Sequence, residues 1–407
     1  MRPENKNITF SELGIAPNLL DRLDQLTLFH PTPIQEKTIP QGIAGEDLIG
    51  IAQTGTGKTL AFAIPVMQRV AATKKIGLVI LPTRELALQV DETFKKVGSP
   101  FGLRTAILIG GASMHAQLAD IRRKPHVVIA TPGRLIDHMD QKNIRLDTVG
   151  TLVLDEADRM LDMGFEPQLK RILAGVPTER QTLLFSATMP EAISTIARKY
   201  MKKPLRIEVA PSGTTAERVN QEVFIVPKPE KVALLKKVLG EYRGTVLVFS
   251  RTKHGAKKIA REIRQMGHTS AELHSNRSLA QRKDALNGFK SGKYRVLVAT
   301  DIAARGIDVT GIELVLNFDL PDHTEDYVHR IGRTGRAGRA GKAISFAVPE
   351  QKNDIRQIER LIRMPLAVKT PSGQAVERKE ESHPMQSHQG RPRFHRNRQQ
   401  KNPPKRG

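Results

Sequence analysis

The sequence predicts an α/β protein: two consecutive domains, each a parallel sheet flanked by helices, followed by a disordered basic tail. Three observations carry that prediction. Short apolar runs alternate with helical patterns, the same alternation restarts after a polar, turn-rich stretch, and the last forty or so residues lose the apolar content a core needs. At 407 residues the chain also exceeds the size at which a single core keeps growing, so length alone favours two domains.

In the first domain, residues 1–209, Leu48–Ala52, Gly77–Leu81, Val127–Ala130, Thr151–Leu154 and Thr182–Phe185 read as buried parallel strands. Each is a continuous apolar run bounded by turn residues. Residues 210–219 include Ala210-Pro-Ser-Gly-Thr-Thr-Ala216, which has no periodicity and the composition of a hinge linker. The second domain, residues 220–365, repeats the pattern with strands at Thr245–Phe249, Arg295–Ala299, Glu313–Asn317 and Lys342–Val348. Helical stretches at Gly255–Met266 and Ser278–Phe289 separate them. Residues 366–407 are rich in Pro, Gln, His and Arg and read as a disordered tail with a nonspecific attraction for RNA. The two domains share an architecture and no fixed sequence period.

Charge narrows the function. Lys and Arg number 65 against 42 Asp and Glu, a net charge of +23, which favours a polyanionic partner through counterion release. The chain has no cysteine, so disulfides, thiol nucleophiles and Cys-based zinc sites are excluded. That composition, a start without a signal-peptide core and the lack of a long apolar run predict a cytoplasmic protein with no membrane partner. Aromatic residues make up only 4% of the chain, with no Trp, so a nucleic acid strand would be held by its backbone rather than by stacked bases.

Two motifs carry chemistry. Ala52-Gln-Thr-Gly-Thr-Gly-Lys-Thr59 lies between an apolar run and a helical pattern, an order that aims backbone N–H groups and a helix N-terminus at phosphates. Thr54, Gly55, Thr56 and Gly57 form the loop, Lys58 reaches the terminal phosphates, and the Thr59 hydroxyl suits magnesium. Asp155-Glu156-Ala157-Asp158 follows the run Thr151–Leu154. A carboxylate there can hold magnesium through water, the expectation for Asp155, and its neighbour Glu156 can orient an attacking water. The far half has an arginine cluster, His329 to Arg336, without a phosphate loop, which predicts one nucleotide site split between two lobes.

Around these stand Pro31-Thr-Pro-Ile-Gln35, Pro82-Thr-Arg-Glu-Leu86, Gly110-Gly111, Thr131-Pro-Gly-Arg134, Ser186-Ala-Thr188, Val248-Phe-Ser-Arg251 and Ala299 through Asp308. In this order and company the chain resembles the DEAD-box RNA helicases of helicase superfamily 2 over about residues 8 to 365. Its short length and basic tail make it similar to the compact bacterial RhlE-type forms. The resemblance implies two tandem RecA-like domains, with ATP and magnesium as cofactors. It implies RNA as partner, in single strands and short duplexes gripped without regard to sequence, with ribosomal or RNA-decay assemblies as candidate further partners. The implied activity is ATP-dependent RNA helicase, local unwinding and remodelling with hydrolysis as the reset. The alternatives are an ATP-gated RNA clamp or scaffold without productive unwinding, and a DNA-directed translocase of the same superfamily.

Roles carry over residue by residue. The resemblance assigns the adenine edge to Gln35, with Phe10 supporting that pocket, and the ribose to Asp308. Arg333 and Arg336 correspond to arginine fingers; Lys58, Asp155 and Glu156 complete the catalytic set. Asp158, Ser186 and Thr188 correspond to the residues coupling hydrolysis to lobe arrangement. RNA contacts are implied at Pro82, Thr83, Arg84, Gly110, Gly111, Thr131 and Arg134 in the first lobe, and at Thr300 and Gly306 in the second. Two places depart from the family pattern. Thr27 and Leu28 stand where a Gly and an aromatic are usual, with Phe29 displaced by one, and Leu279 and Arg282 stand where Gln-x-x-Arg is usual, with Gln281 beside them.

Overall fold

The computed structural model describes residues 8–53, 55–209, 219–304, 309, 311–335 and 341–375, apart from the side chain of Ile302. Among the described residues fourteen strands form two sheets. The first contains β1 (Leu48–Ile51), β2 (Ile76–Ile80), β3 (Thr105–Leu108), β4 (Val127–Ala130), β5 (Val149–Leu154), β6 (Gln181–Ser186) and β7 (Leu205–Glu208). The second contains β8 (Val219–Ile225), β9 (Val246–Phe249), β10 (Ser270–Leu273), β11 (Val296–Ala299), β12 (Leu314–Asn317), β13 (Gly341–Ala347) and β14 (Ala367–Lys369). The spatial orders are β3-β4-β2-β5-β6-β1-β7 and β10-β11-β9-β12-β13-β8-β14. Counted within its own lobe, each sheet therefore runs third, fourth, second, fifth, sixth, first, seventh.

Every strand pair within the sheets is parallel. Parallel strands need helical crossovers, and the crossovers cover both faces, which is why the central strands are apolar at every position rather than alternately. In the first lobe, residues of β5 and β6 are buried throughout, with one apolar cluster on each side of the sheet. Packing across β1 is tight: a Cβ at Gly50 would lie 2.6 Å from the Phe185 ring, which itself stacks on Phe62 at a centroid distance of 5.6 Å. The functional consequence of all-parallel pairing is that every strand's C-terminal end, and every loop that follows one, opens on the same edge of its sheet.

The long apolar strands fall within a residue or two of their expected bounds. The strands at β3, β7, β8, β10 and β14 were not legible because they lie at sheet margins, are short, or carry polar residues such as those in Val219-Asn-Gln-Glu-Val. Two boundaries are corrected. Val219, expected in the linker, opens β8, and the remaining linker residues 210–218 lie outside the described residues. The tail was expected from residue 366, yet Leu366 is buried and Ala367–Lys369 pairs with β8, so the second sheet takes in its last strand there. Three residues at an edge are too few to show a period in sequence; pairing with β8 is what orders them. Residues 376–407, the rest of the predicted tail, lie outside the described residues. Among the described residues no helix is long and apolar enough to cross a membrane.

Candidate functional site

β1 runs into the glycine loop, whose Gly55 and Gly57 take φ of +87° and +92°. A side chain is excluded at Gly57 on two counts, the left-handed backbone and a Cβ that would sit 2.4 Å from Gln35 Nε2. The turn delivers Lys58 as the first residue of helix Lys58–Thr73, where the unpaired N–H groups and positive dipole end face the loop. Lys58 is buried, and its Nζ donates to the Ala52 carbonyl at 2.9 Å. Thr59 is half-buried beside it, and the Thr56 hydroxyl closes the loop onto the Gln53 carbonyl at 2.7 Å. Thr54 lies outside the described residues.

Gln35 sits behind this loop. Its Oε1 accepts from Thr32 N–H at 2.9 Å as part of a capping box, and its Nε2 donates to the Gly57 carbonyl at 2.9 Å. Gln35 thus caps its own helix and touches the phosphate loop. One lone pair and one N–H remain for a base edge. Phe10 is buried in the first lobe's core on the short turn Phe10–Leu13 that packs against helix Pro33–Ala44. Thr27 takes φ of +58°, a strained conformation for a β-branched residue, and Leu28 lines the cleft while Phe29 is 53% exposed.

Asp155 follows β5 directly and is buried with Glu156 and Asp158. Burial, then the neighbouring Glu156 and Asp158, push its carboxyl up to about 6 against the opposing pull of Lys58 and the Glu156 N–H. Glu156 takes φ of +50° and its Oε2 accepts from Arg159 Nη1 at 3.0 Å. Asp158 turns away from the cleft. Its Oδ2 accepts from the Ala187 N–H, the Thr188 N–H and the Thr188 hydroxyl at 3.0, 2.9 and 3.0 Å, and its own N–H donates to Ser186 Oγ at 3.3 Å. Burial works against the Asp158 charge, but Lys58, Thr188 and Arg159 together hold its carboxyl below the usual range.

The second lobe closes the cleft. Arg333, 3% exposed, lines the same space of about 480 Å³ as Gly55, Lys58, Thr59, Asp155 and Glu156. Arg159 Nη2 lies 3.0 Å from Nδ1 of His329, so the residue after the DEAD carboxylates is shared between Glu156 and the arginine cluster of the other lobe. Arg330 is fully enclosed: it makes a bidentate ion pair with Asp301 at 2.5 and 2.7 Å, donates to Asn317 Oδ1 and the Asp319 carbonyl, and lies 5.0 Å from the Phe249 ring centre. It fixes helix Thr324–Ile331, which leads into Arg333, to the ends of β9, β11 and β12. Arg336, Asp308 and Gly306 lie outside the described residues.

The residues expected to hold RNA follow β2, β3 and β4, which are neighbours in the first sheet, so their loops form a row. Thr83 caps helix Arg84–Gly98 by accepting from Leu86 N–H at 3.3 Å, with buried Pro82 before it. A Cβ at Gly110 or Gly111 would lie 3.0 or 2.4 Å from the Arg84 guanidinium, which is how these glycines let that side chain lie along the backbone. Thr131 is buried at the end of β4, and Arg134 donates to the Ala112 carbonyl at 3.1 Å. Burial first, then Arg282 and Arg134, lower the Arg84 guanidinium below its ordinary value. Thr300, half-buried at the end of β11, occupies the matching edge of the second lobe.

The departure near Leu279 lies where the two lobes meet. Arg282 pairs with Glu85 of the other lobe at 2.6 Å, with side chains 8% and 3% exposed, and Leu279 packs on the first lobe's core. The Gln281 amide caps its own helix through Ser278 N–H at 3.1 Å. Glu85, Arg159, Asp301 and Arg330 were missed by motif reading. The available signal was that each adjoins or lies inside a motif, but a partner in a different segment cannot be read from adjacency.

Comparison with known proteins agrees with this geometry. A "DEAD/DEAH box helicase" model matches residues 32–196, and a "Helicase conserved C-terminal domain" model matches residues 230–338. A protein of Scheffersomyces stipitis named ATP-dependent rRNA helicase RRP3 is 43% identical over 91% of this chain and 77% of its own. The DEAD-box ATP-dependent RNA helicase CshA of Bacillus cereus is 42% identical over 86% of this chain and 68% of its own. Among solved structures, S. cerevisiae Dbp5 bound to RNA and ADP BeF3 superposes with a TM-score of 0.79 at 29% identity, covering 89% of this chain and 96% of that one.

Proposed function

Since the chain belongs to the DEAD-box family of RNA helicases, an ATP-dependent group with two RecA-like domains, we propose how its own residues perform that activity. ATP binds in the cleft between the lobes and RNA lies across the row of loops at the sheet edges. Closure around both separates a short duplex locally, and hydrolysis releases the lobes. The observation that carries the reading is the single cleft lined by Lys58, Asp155 and Glu156 from one lobe and Arg333 from the other.

In this reading Lys58 leaves the Ala52 carbonyl for the terminal phosphates, while loop N–H groups from Thr54 to Thr59 cradle them. Gln35 reads adenine through its spare lone pair and N–H, with Phe10 behind it, and Asp308 holds the ribose. Glu156 orients the attacking water, and Arg333 and Arg336 face the charge that develops on the γ-phosphate. Asp158 transmits the state of the site to Ser186 and Thr188. RNA phosphates and sugars meet Pro82, Thr83, Arg84, Gly110, Gly111, Thr131, Arg134, Thr300 and Gly306.

Magnesium fits the donor set. The Thr59 hydroxyl and a buried Asp155 carboxylate that lacks its own ion pair suit a hard cation also held by phosphate oxygens, and among the described residues no cluster of three His, Cys, Asp or Glu offers a protein cage instead. When bound, the ion would neutralise phosphate charge. The reading includes a cytoplasmic location, since a chain without cysteine draws nothing from an oxidising compartment, and an RhlE-like subgroup on grounds of the basic composition of residues 366–407.

The test is Glu156→Gln. Turnover should fall by about 10²–10⁴, the usual worth of a positioned base, with ATP binding retained and the RNA complex made long-lived. Turnover equal to that of the parent chain would remove the role given to Glu156.

A further inference from the structure

Helix Lys253–Gln265 of the second lobe and helix Arg84–Gly98 of the first occupy the same topological place, each following the second strand of its sheet. Their charges differ. Helix Arg84–Gly98 sets its basic residues against Glu85, Asp91 and Glu92, with Lys95–Asp91 and Lys96–Glu92 pairs at 2.7 and 2.9 Å. Over its 13 residues, Lys253–Gln265 carries Lys253, Lys257, Lys258, Arg261 and Arg264, plus His254, and one acid, Glu262. All six basic positions are exposed, while Ala256, Ile259, Ala260 and Ile263 face the core. The helix's one acid is spent on Arg261 at 3.7 Å, and Lys257 and Lys258 have no counter-ion among the described residues.

Like charges at i, i+4 weaken a helix, so Lys253, Lys257 and Arg261 in one row are a local cost that an external polyanion would remove. The face also begins in the right place. Lys253 follows the C-terminal end of β9, and its Nζ donates at 3.2 Å to Asn276 Oδ1 in the loop after β10. β10, β11 and β9 are neighbours, and they are the counterparts of the β3-β4-β2 row that carries the first lobe's RNA candidates. From that edge the basic face descends for ~16 Å, the rise of a helix from Lys253 to Arg264, enough to meet several phosphates.

We propose that the exposed face of helix Lys253–Gln265 is a second RNA surface, taking the phosphates of RNA that extends beyond the strand held at the sheet edges. It rests on the helicase reading above and adds a role for the flanking part of the substrate. Binding there is sequence-independent and weakens with salt. It would hold the flank of a duplex in place while the strand across the lobes is bent.

The experiment uses the full chain with Lys257→Gln, Lys258→Gln and Arg261→Gln together. Two RNAs are compared, a strand just long enough to cross both lobes and the same strand continued into a duplex. Affinity for the extended RNA should fall about tenfold, and its log–log salt slope by about 2, at the usual ~0.7–0.9 per phosphate contact. Affinity for the short strand, and the ATPase it stimulates, should stay at the parent level, which also shows that the variant is folded. Charge reversal at Lys257 and Arg261 should deepen the loss for the extended RNA alone. An unchanged slope with extended RNA, or an equal loss with the short strand, overturns the second surface. Failure of any RNA to stimulate the parent chain's ATPase would instead strike the helicase reading.

Discussion

In the first lobe Lys58 opens the helix after β1 and Asp155 follows β5; in the second, Lys231 opens the helix after β8 and Asp319 lies two residues beyond β12. The sheets have the same order, so these are equivalent positions. What separates them is the loop before the lysine. Ala52 to Gly57 holds glycines at positive φ, and Lys58 bonds a loop carbonyl, leaving Asp155 without an ion pair among the described residues. Val226-Pro-Lys-Pro-Glu230 has no glycine and tightens into a short turn, and Lys231 Nζ bonds the Phe318 carbonyl at 2.7 Å and Asp319 Oδ1 at 3.1 Å. One scaffold keeps its lysine and aspartate apart for a ligand. The other joins them as structure and lends arginines to its neighbour's site.

The largest test of that contrast exchanges each lysine in turn. Lys58→Ala should lower RNA-stimulated kcat/KM for ATP by about 10³ or more, in line with the loss of a cation at a transferring phosphoryl group. Lys231→Ala should leave ATPase per folded molecule near the parent value while lowering urea stability by about 2 kcal/mol, because it strands buried acceptors. If Lys231→Ala abolished ATPase without loss of stability, the two positions would not differ as described.

A finer test uses the aspartates, which should respond with opposite signs. Asp155 has a folded pKa raised to about 6 from 3.8, so the native state binds the proton more tightly than the unfolded chain. Its contribution to stability is therefore present below the unfolded value and is lost as pH rises through about 6. In nucleotide-free and metal-free protein, Asp155→Asn should stabilise by about 2 kcal/mol at pH 7.5 and by about a third of that at pH 4.5. Asp319→Asn should destabilise by about 1 kcal/mol at pH 7.5, since it weakens the pair with Lys231. Denaturant melts read all three numbers, and like signs at pH 7.5 would contradict the contrast.

The smallest effect concerns the base side of the cleft. Thr27 holds φ of +58° where its side chain is strained, so Thr27→Gly should raise thermal stability by about 0.5–1 kcal/mol without changing RNA affinity. A loss of stability would mean that the Thr27 hydroxyl, which donates to the Leu26 carbonyl at 2.7 Å, outweighs the backbone strain.

Chemistry confined to one loop was legible in the chain itself. A glycine loop before a helix, and acids after an apolar run, depend on neighbours in sequence, and Gly55, Lys58, Asp155 and Glu156 line one cleft. The central strands were legible for a related reason, since burial on both faces writes a continuous apolar run. Edge strands such as β14 were not, because half their surroundings are solvent and their polarity follows.

The sequence by itself therefore determined two α/β lobes, a phosphate loop, a carboxylate set and an arginine cluster, since each is written in consecutive residues. Tertiary structure decided which charges meet. Glu85 with Arg282, Arg159 between Glu156 and His329, Arg330 with Asp301 and Lys231 with Asp319 join segments far apart in the chain. A charged side chain reads the same in sequence whether it faces water, RNA or an opposite charge. Only the register of the strands and the closing of the lobes determine the dielectric around it and the partner within reach.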